Sequence, residues 1–174
     1  DDKSPEDYPF ALFVDGELVG LYSSYSNGSD SMTDNALRGA WNYIRGEHTK
    51  EVQIYLRRDY DISSPETTDT YYKNLSQIGG TLVLHLGEYE LTLGNVPLFN
   101  CDCKYGWDKA TNTTKIYDTK IIVKGGTINA NNASVINYSS LVCSTDAQKA
   151  NYNRQKLMDI SFEGTVINTS VPLV

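Results

Sequence analysis

Several residue types are scarce in this chain of 174 residues: histidine, methionine and tryptophan each occur twice, and phenylalanine occurs four times. Basic residues are in deficit, because 15 Lys and Arg stand against 22 Asp and Glu and leave a formal net charge of −7. Nucleic acids and anionic membrane surfaces bind basic faces, so neither is the expected partner. No apolar run approaches the roughly 18 residues that a membrane-spanning helix needs.

Cysteine is also scarce, and an odd count of three cannot form a closed disulfide framework. We expect cysteines without a role, and the alternative is a disulfide from Cys101 or Cys103 to Cys143, which needs stacked segments with Cα atoms within about 7 Å. A zinc site would need a fourth ligand, and neither His48 nor His85 has metal-ligand spacing to the cysteines. The sequence therefore predicts no metal and no cofactor.

Tyrosine is abundant, with 13 residues, and one apolar pattern repeats along the chain. The pattern of residues 84–86 recurs 37 positions later at 121–123, and that of 121–123 recurs 39 positions later at 160–162. The shift of 37 also places Asn100 onto Asn137, which predicts an amide ladder at a corner. A period of this length is typical of a solenoid, in which each coil buries its apolar face against the next.

The region before the repeat predicts a hairpin and a helix. Asp15-Gly16 between two apolar runs indicates a tight β-hairpin turn. A helix follows, with Ser31 or Thr33 as its N-cap and one apolar stripe, which we expect to cover an end of the solenoid. The stripe consists of Leu37, Ala40, Trp41 and Ile44.

The order of hairpin, helix and repeated strands resembles that of the right-handed parallel β-helix proteins of the pectin-lyase-like superfamily. Two sequence motifs are also similar to theirs: Leu-x-Leu-Gly-x-Tyr-x-Leu and Ile-x-Val-x-Gly-Gly-Thr-Ile. Within that superfamily the chain is most similar to adhesin-like modules of bacterial surface lipoproteins. The resemblance covers residues 36–62, 81–93, 120–129 and 158–168. It implies an all-β fold with an N-terminal capping helix: a single-stranded parallel β-helix of about three to four coils, preceded by a hairpin.

One domain is predicted over residues 1–174. It comprises an N-terminal tether at 1–7, the hairpin and capping helix over 8–50, and the coils over 51–174. The last coil has no covering element in the predicted pattern, so we expect either a continuation of the protein or a neighbouring chain to cover it, and self-association is one such contact.

Enzymes of the superfamily that the chain resembles carry catalytic motifs that the chain lacks. The Asn-Thr-Asp segment and the Gly-His-Gly of polygalacturonase-like members are absent, and the sole Asp-Asp pair is Asp1-Asp2. Period-two spacing places Asp59 with Asp61, and Glu88 with Glu90, on one face of a strand. Such pairs serve as glycosidase groups or cation ligands, or are simply polar outer faces. We predict no catalytic residues, with a polysaccharide lyase or glycoside hydrolase as the alternative.

Three excursions interrupt the repeat, at residues 63–77, 101–117 and 138–156. Insertions in a solenoid tend to emerge on one face, often the binding face. Aromatic rings with neighbouring polar groups suit sugar binding, and the other interpretation is that these rings pin the loops to the solenoid wall. The candidate binding residues are Tyr71, Tyr72, Tyr105, Trp107, Asp108 and Tyr152.

The predicted function is a non-catalytic binding or adhesion module that contacts a glycan or a surface protein through these loops. A purely structural fragment of a longer surface protein is a second alternative. The first four residues resemble the start of mature surface lipoproteins, so we expect an exported, cell-surface or secreted protein. A membrane contact is expected only through an N-terminal lipid anchor.

Overall fold

The computed structural model of the chain describes residues 3–25, 35–44, 51–62, 75–77, 80–94, 97–108, 112–115, 118–130, 134–139 and 159–174. These ranges contain one helix, α1 (Ala36–Ile44), and twelve strands. The strands are β1 (Phe10–Val14), β2 (Glu17–Tyr22), β3 (Glu51–Leu56), β4 (Tyr60–Asp61), β5 (Leu75–Gln77), β6 (Thr81–Thr92), β7 (Phe99–Asp108), β8 (Thr113–Lys115), β9 (Lys120–Ala130), β10 (Ile136–Ser139), β11 (Asp159–Glu163) and β12 (Val166–Thr169). The predicted all-β class is confirmed.

The predicted hairpin is formed by β1 and β2, which pair antiparallel. Asp15 has a φ of 49° and Gly16 a φ of 84°, so both central residues of the turn adopt the positive φ that a type I′ turn requires. The other edge of β1 pairs antiparallel with β3. The hairpin therefore extends the sheet that the repeated strands build.

Eight strands form this larger sheet, called here the main sheet, in the order β11-β9-β6-β3-β1-β2, with β12 also paired to β9 and β4 to β6. Strands β3, β6, β9 and β11 are parallel and in register, and we call these four the stack. One column of facing residues runs along the stack through its inward side. It consists of Ile54, Leu84, Val123 and Phe162. Columns of this kind bury the apolar half of each strand, as the repeat predicts.

The sequence-based register is correct in one half of the repeat and wrong in the other. Leu84 faces Val123, two positions beyond the predicted Ile121, whereas Asn100 faces Asn137 as predicted. The cause lies in β6, where bulges between His85 and Gly87 and between Gly87 and Glu90 absorb the two extra residues. Since a bulge inserts residues without breaking the strand, the apolar spacing alone did not reveal the slip.

Helix α1 packs its apolar stripe into the core, because Leu37, Ala40, Trp41 and Ile44 are all buried. The predicted N-caps are wrong: Asn35 Oδ1 accepts a hydrogen bond from the backbone N–H of Arg38 at 2.8 Å. An Asn at this position satisfies one of the orphan amides of the first turn. The helix therefore begins at Ala36, with Asn35 as its N-cap. Ser31 and Thr33 lie outside the described residues.

A second sheet has the order β10-β7-β5, with β8 paired antiparallel to β7. We call it the loop sheet. Its strand β10 pairs in parallel with β7, where Ile136 faces Phe99 and Asn137 faces Asn100. Leu98, Phe99 and Val135 are fully buried, so the start of this sheet closes the same core as the main sheet.

Candidate functional site

The loop sheet brings together backbone from all three predicted excursions. Strand β5 belongs to the excursion at 63–77, and it pairs with β7, where Leu75 faces Cys101 and Gln77 faces Tyr105. The excursion at 101–117 contributes most of β7 and all of β8. The last excursion, at 138–156, contributes the end of β10, where Tyr138 faces Cys101. The predicted convergence of the excursions thus has a physical basis in strand pairing.

Three of the candidate binding residues lie on one strand of this sheet. Tyr105, Trp107 and Asp108 are in the second half of β7, and β8 pairs with that half from Gly106 to Asp108. The chain between the two strands passes through Asn112, which has a φ of 53°, a left-handed conformation that asparagine tolerates better than most residues. The other three candidates, Tyr71, Tyr72 and Tyr152, lie outside the described residues.

The cysteines divide between core and loop sheet. Cys101 is fully buried and belongs to the core cluster, where strands β5 and β10 face it from either side. Cys103 lies on β7, two residues further along. Cys143 lies outside the described residues, so a disulfide to it stays a prediction.

Two amide contacts link neighbouring strands at two different positions of the repeat, one in each sheet. Asn137 Nδ2 donates to Asn100 Oδ1 at 2.6 Å, the contact predicted from the repeat. Asn168 Nδ2 donates to Asn129 Oδ1 at 3.0 Å, in the pairing of β12 with β9. The repeat aligned Asn129 with Asn168, which was a usable signal for this second ladder. Each contact joins two residues that face each other across parallel strands, so it supports the register of that pair.

The outward side of the main sheet carries an aromatic cluster that sequence reasoning missed. The rings of Tyr55 and His85 stack with centroids 4.1 Å apart and an interplanar angle of 5°, and Phe13 meets Tyr55 edge-on at 5.2 Å. His85 Nε2 lies 2.7 Å from Gln53 Oε1, which also accepts the Tyr55 hydroxyl at 2.9 Å. Because an amide oxygen only accepts, the His85 Nε2 in this contact carries a hydrogen.

His85 points outward, as its position between Leu84 and Leu86 predicts, and it has partners on that face. The reason is register: Tyr55 faces His85 directly across β3 and β6, and side chains of facing residues lie on the same side of a sheet. Gln53 lies two residues before Tyr55 on the same face, and its Oε1 accepts hydrogen bonds from both His85 and Tyr55. Its Nε2 donates in turn to Glu51 Oε1 at 3.0 Å.

Partial burial lowers the pKa of His85 below its usual 6.5; Lys124 lowers it further, and Glu51 acts in the opposite direction. The folded state therefore favours neutral imidazole. This contribution to stability is complete above pH 6.5 and is lost as the pH falls from 6.5 through the lowered pKa. NMR titration of the imidazole Cε1–H should give a pKa below 6.5, raised by Lys124→Gln and lowered further by Glu51→Gln. A value at or above 6.5 in the unmodified chain would show that burial and Lys124 do not lower the pKa of His85.

In the described residues, the Asp59 carboxylate of the first acid pair has a structural partner. Asp59 Oδ1 accepts the backbone N–H of Glu90 at 2.9 Å, so this carboxylate links the bend after β3 to the corner of β6. Strand β4 pairs with the same part of β6, where Asp61 faces Thr92. Within the described ranges, no group of three or more His, Cys, Asp or Glu side chains is arranged to hold a metal ion.

The arginines beside Asp59 hold the N-terminal segment to the sheet. Arg58 donates through Nε and Nη2 to the Glu6 carbonyl at 3.1 and 2.9 Å, and through Nε to the Pro5 carbonyl at 3.0 Å. Arg57 donates to the carbonyls of Tyr8 and Lys3 at 2.9 and 3.2 Å. Residues 3–7, predicted to be part of a tether, are thus docked by two guanidinium groups.

Arg58→Lys is expected to release this segment although it keeps the charge, because an ammonium group lacks the planar fork that reaches two carbonyls at once. The backbone amide of Tyr8, which donates to the Ser4 carbonyl at 2.9 Å, should then exchange with solvent faster. Hydrogen exchange followed by NMR measures this, and we expect a loss of about 1 kcal/mol in global stability. Exchange at Tyr8 as slow in Arg58→Lys as in the unmodified chain would show that charge alone holds the segment.

The chain matches no protein-family model, no curated protein and no solved structure. In the part of the chain that is described, the single helix α1 has nine residues, and no helix has the length and apolarity needed to span a membrane.

Proposed function

We propose that the chain is a non-catalytic binding or adhesion module of the cell surface, which contacts a glycan through its loop sheet and adjoining excursions. The observation that carries this proposal is the pairing of β5 and β10 with β7. Three segments separated by long stretches of sequence meet there, and such convergence on a rigid scaffold is typical of binding sites. A surface protein is the second ligand class for the same face.

The proposed scaffold is a right-handed single-stranded parallel β-helix of about three to four coils, with α1 as its cap and the hairpin at its start. Three features support it: the parallel stack, the second parallel pairing of β7 with β10, and the repeated asparagine contacts. Each coil would then contribute one strand to the stack and one to the loop sheet. Every excursion would leave the scaffold on the loop-sheet side.

The chemistry of the candidate residues favours a glycan. Tyr105, Trp107 and Asp108 all lie within the last four residues of β7, so this short stretch contains two aromatic residues and an acidic one. Aromatic faces stack on the C–H surfaces of pyranose rings, and polar neighbours fix the orientation of the sugar. The net charge of −7 favours neutral or cationic sugars over polyuronides, since like charges repel.

A glycan array probed with the full chain, followed by titration of each hit, tests this function. Trp107→Ala is expected to weaken binding at least tenfold, since aromatic anchors dominate such contacts. The matched control is Tyr43→Ala, which removes an aromatic side chain that is 39 % exposed and lies on α1, away from the loop sheet. Binding that survives both Trp107→Ala and Tyr71→Ala would overturn the placement of the site. Glycan binding that requires Tyr55 and not Trp107 would place the glycan site at the aromatic cluster.

A further inference from the structure

The stack has an open side at β11 and β12. In the described ranges both strands pair with β9 alone, on one side. Their inward residues Ile160, Phe162 and Ile167 are only partly buried, whereas Ile121, Val123 and Ile128, which they face on β9, are 0 % exposed. The difference arises because each inner position is covered by the next strand of the stack, and at this end no described strand does so.

The backbone of β11 is oriented for one more parallel strand. The Asp159 amide donates to the Thr119 carbonyl at 3.0 Å, toward β9. In a parallel pair successive residues direct their backbone groups to opposite sides, so the amides of Ser161 and Glu163 also face β9. The amides of Ile160 and Phe162 therefore face the open side.

The charges along the edge specify what fits there. On the outward face, Lys120 faces Asp159 and Lys124 faces Glu163, with Lys124 Nζ 3.8 Å from Glu163 Oε2. Strand β11 therefore presents an acidic residue at both ends of its outward face. Opposite charges on facing residues stabilise a strand pair, and like charges destabilise it. The complementary strand carries basic residues at these two positions.

A second copy of the chain fits poorly by the same rule. A symmetric dimer through β11 would pair the two edges antiparallel about Ser161. Asp159 of each copy would then face Glu163 of the other, twice over. Such a dimer would juxtapose four acids on one surface, so the charges oppose it.

We propose that this edge binds a strand–turn–strand segment of a partner polypeptide, added in parallel to β11 and β12. The segment has basic residues facing Asp159 and Glu163, apolar residues facing Ile160 and Phe162, and a glycine turn before its second strand. This surface lies at the end of the stack and is distinct from the proposed glycan site. Strand β9 has the required pattern, so a peptide of residues 120–130 serves as the probe.

Hydrogen bonding predicts which probe amides are needed. In the protein the Lys120 amide donates to the Gly80 carbonyl of the preceding segment at 3.1 Å, so the amides of residues 120, 122 and 124 face that side. In a docked probe the same amides would face β11. N-methylation at Ile122 should therefore abolish binding, whereas N-methylation at Val123, whose amide faces away, should be tolerated.

The experiment titrates the labelled peptide of residues 120–130 into the full chain by fluorescence anisotropy, with amide exchange followed by NMR. We expect saturable binding, slower exchange at Ile160 and Phe162, and about tenfold weaker binding of the peptide with Lys120→Glu and Lys124→Glu at low salt. That difference should shrink in 1 M salt.

Three results would overturn the proposal: no binding of the unmodified peptide, equal binding of both N-methylated peptides, or equal binding of the charge-reversed peptide at low salt. Self-association of the chain that protects Ile160 and Phe162 and excludes the peptide would also overturn it. In that case the occupant is a second copy.

Discussion

Replacing Gly126 with alanine is expected to destabilise the fold by about 3–5 kcal/mol, which combines backbone strain with overpacking. Gly126 has a φ of +62°, which a residue with a Cβ adopts at a cost. The added Cβ would overlap the Cβ of Leu86 and lie 2.7 Å from the carbonyl oxygen of Tyr89. Both obstacles belong to the bulged corner of β6, where the two strands cannot separate without breaking the stack. Urea denaturation followed by circular dichroism measures the effect.

Gly164→Ala is the matched control for this substitution. Gly164 has nearly the same φ, +65°, but an added Cβ there meets no atom within 4 Å, because it lies at the open end of the stack. Its cost is therefore the backbone strain alone, about 1–2 kcal/mol. Equal losses at the two positions would show that packing between the corners contributes nothing, contrary to the structure.

Leu84→Ala is expected to reduce the free energy of unfolding by about 3 kcal/mol, within the range for leucines buried in a core. Leu84 is 0 % exposed and lies between Ile54 and Val123 in the inward column of the stack. Strands on both sides hold the surrounding side chains in place, so the cavity cannot collapse. Leu18→Ala provides the control, since Leu18 is 55 % exposed on β2 and its truncation should be close to neutral.

Phe162 occupies the last position of the same column. At this position, truncation of the larger side chain should cost less stability than truncation of Leu84, which reverses the usual order. Truncation of a buried phenylalanine normally costs as much as truncation of a leucine, or more. Phe162 is only partly buried, because the described strands cover it from β9 alone. Phe162→Ala should therefore cost less than Leu84→Ala in the same denaturation experiment. A larger loss for Phe162→Ala would mean that the end of the stack is covered.

The parts of the fold that were predictable from sequence are those in which a local pattern and burial agree. The turn at Asp15-Gly16, the buried stripe of α1 and the alternation of β3 all follow from short-range chemistry. The contact between Asn100 and Asn137 follows from the repeat because no bulge intervenes between β7 and β10. Where the period is unbroken, equal spacing means equal register.

The rest depends on long-range geometry that no local pattern contains. The bulges of β6 shift His85 from Ile122 to Lys124. The charge of Lys124 then adds to the effect of burial, which is the larger cause of the lowered pKa of His85. The stacking of Tyr55 on His85 joins strands whose pairing was not predicted residue by residue. The convergence of the excursions was predicted, but not that β5, β7 and β10 pair as strands. Backbone pairing of this kind depends on segments far apart in sequence.

The columns of the stack, the aromatic cluster and the open edge all depend on the register of the stack. Inter-strand backbone NOEs in a uniformly labelled, deuterated sample measure it directly. We expect contacts that join His85 to Lys124 and Lys124 to Glu163. Contacts that join His85 to Ile122, the register of an unbulged repeat, would contradict it.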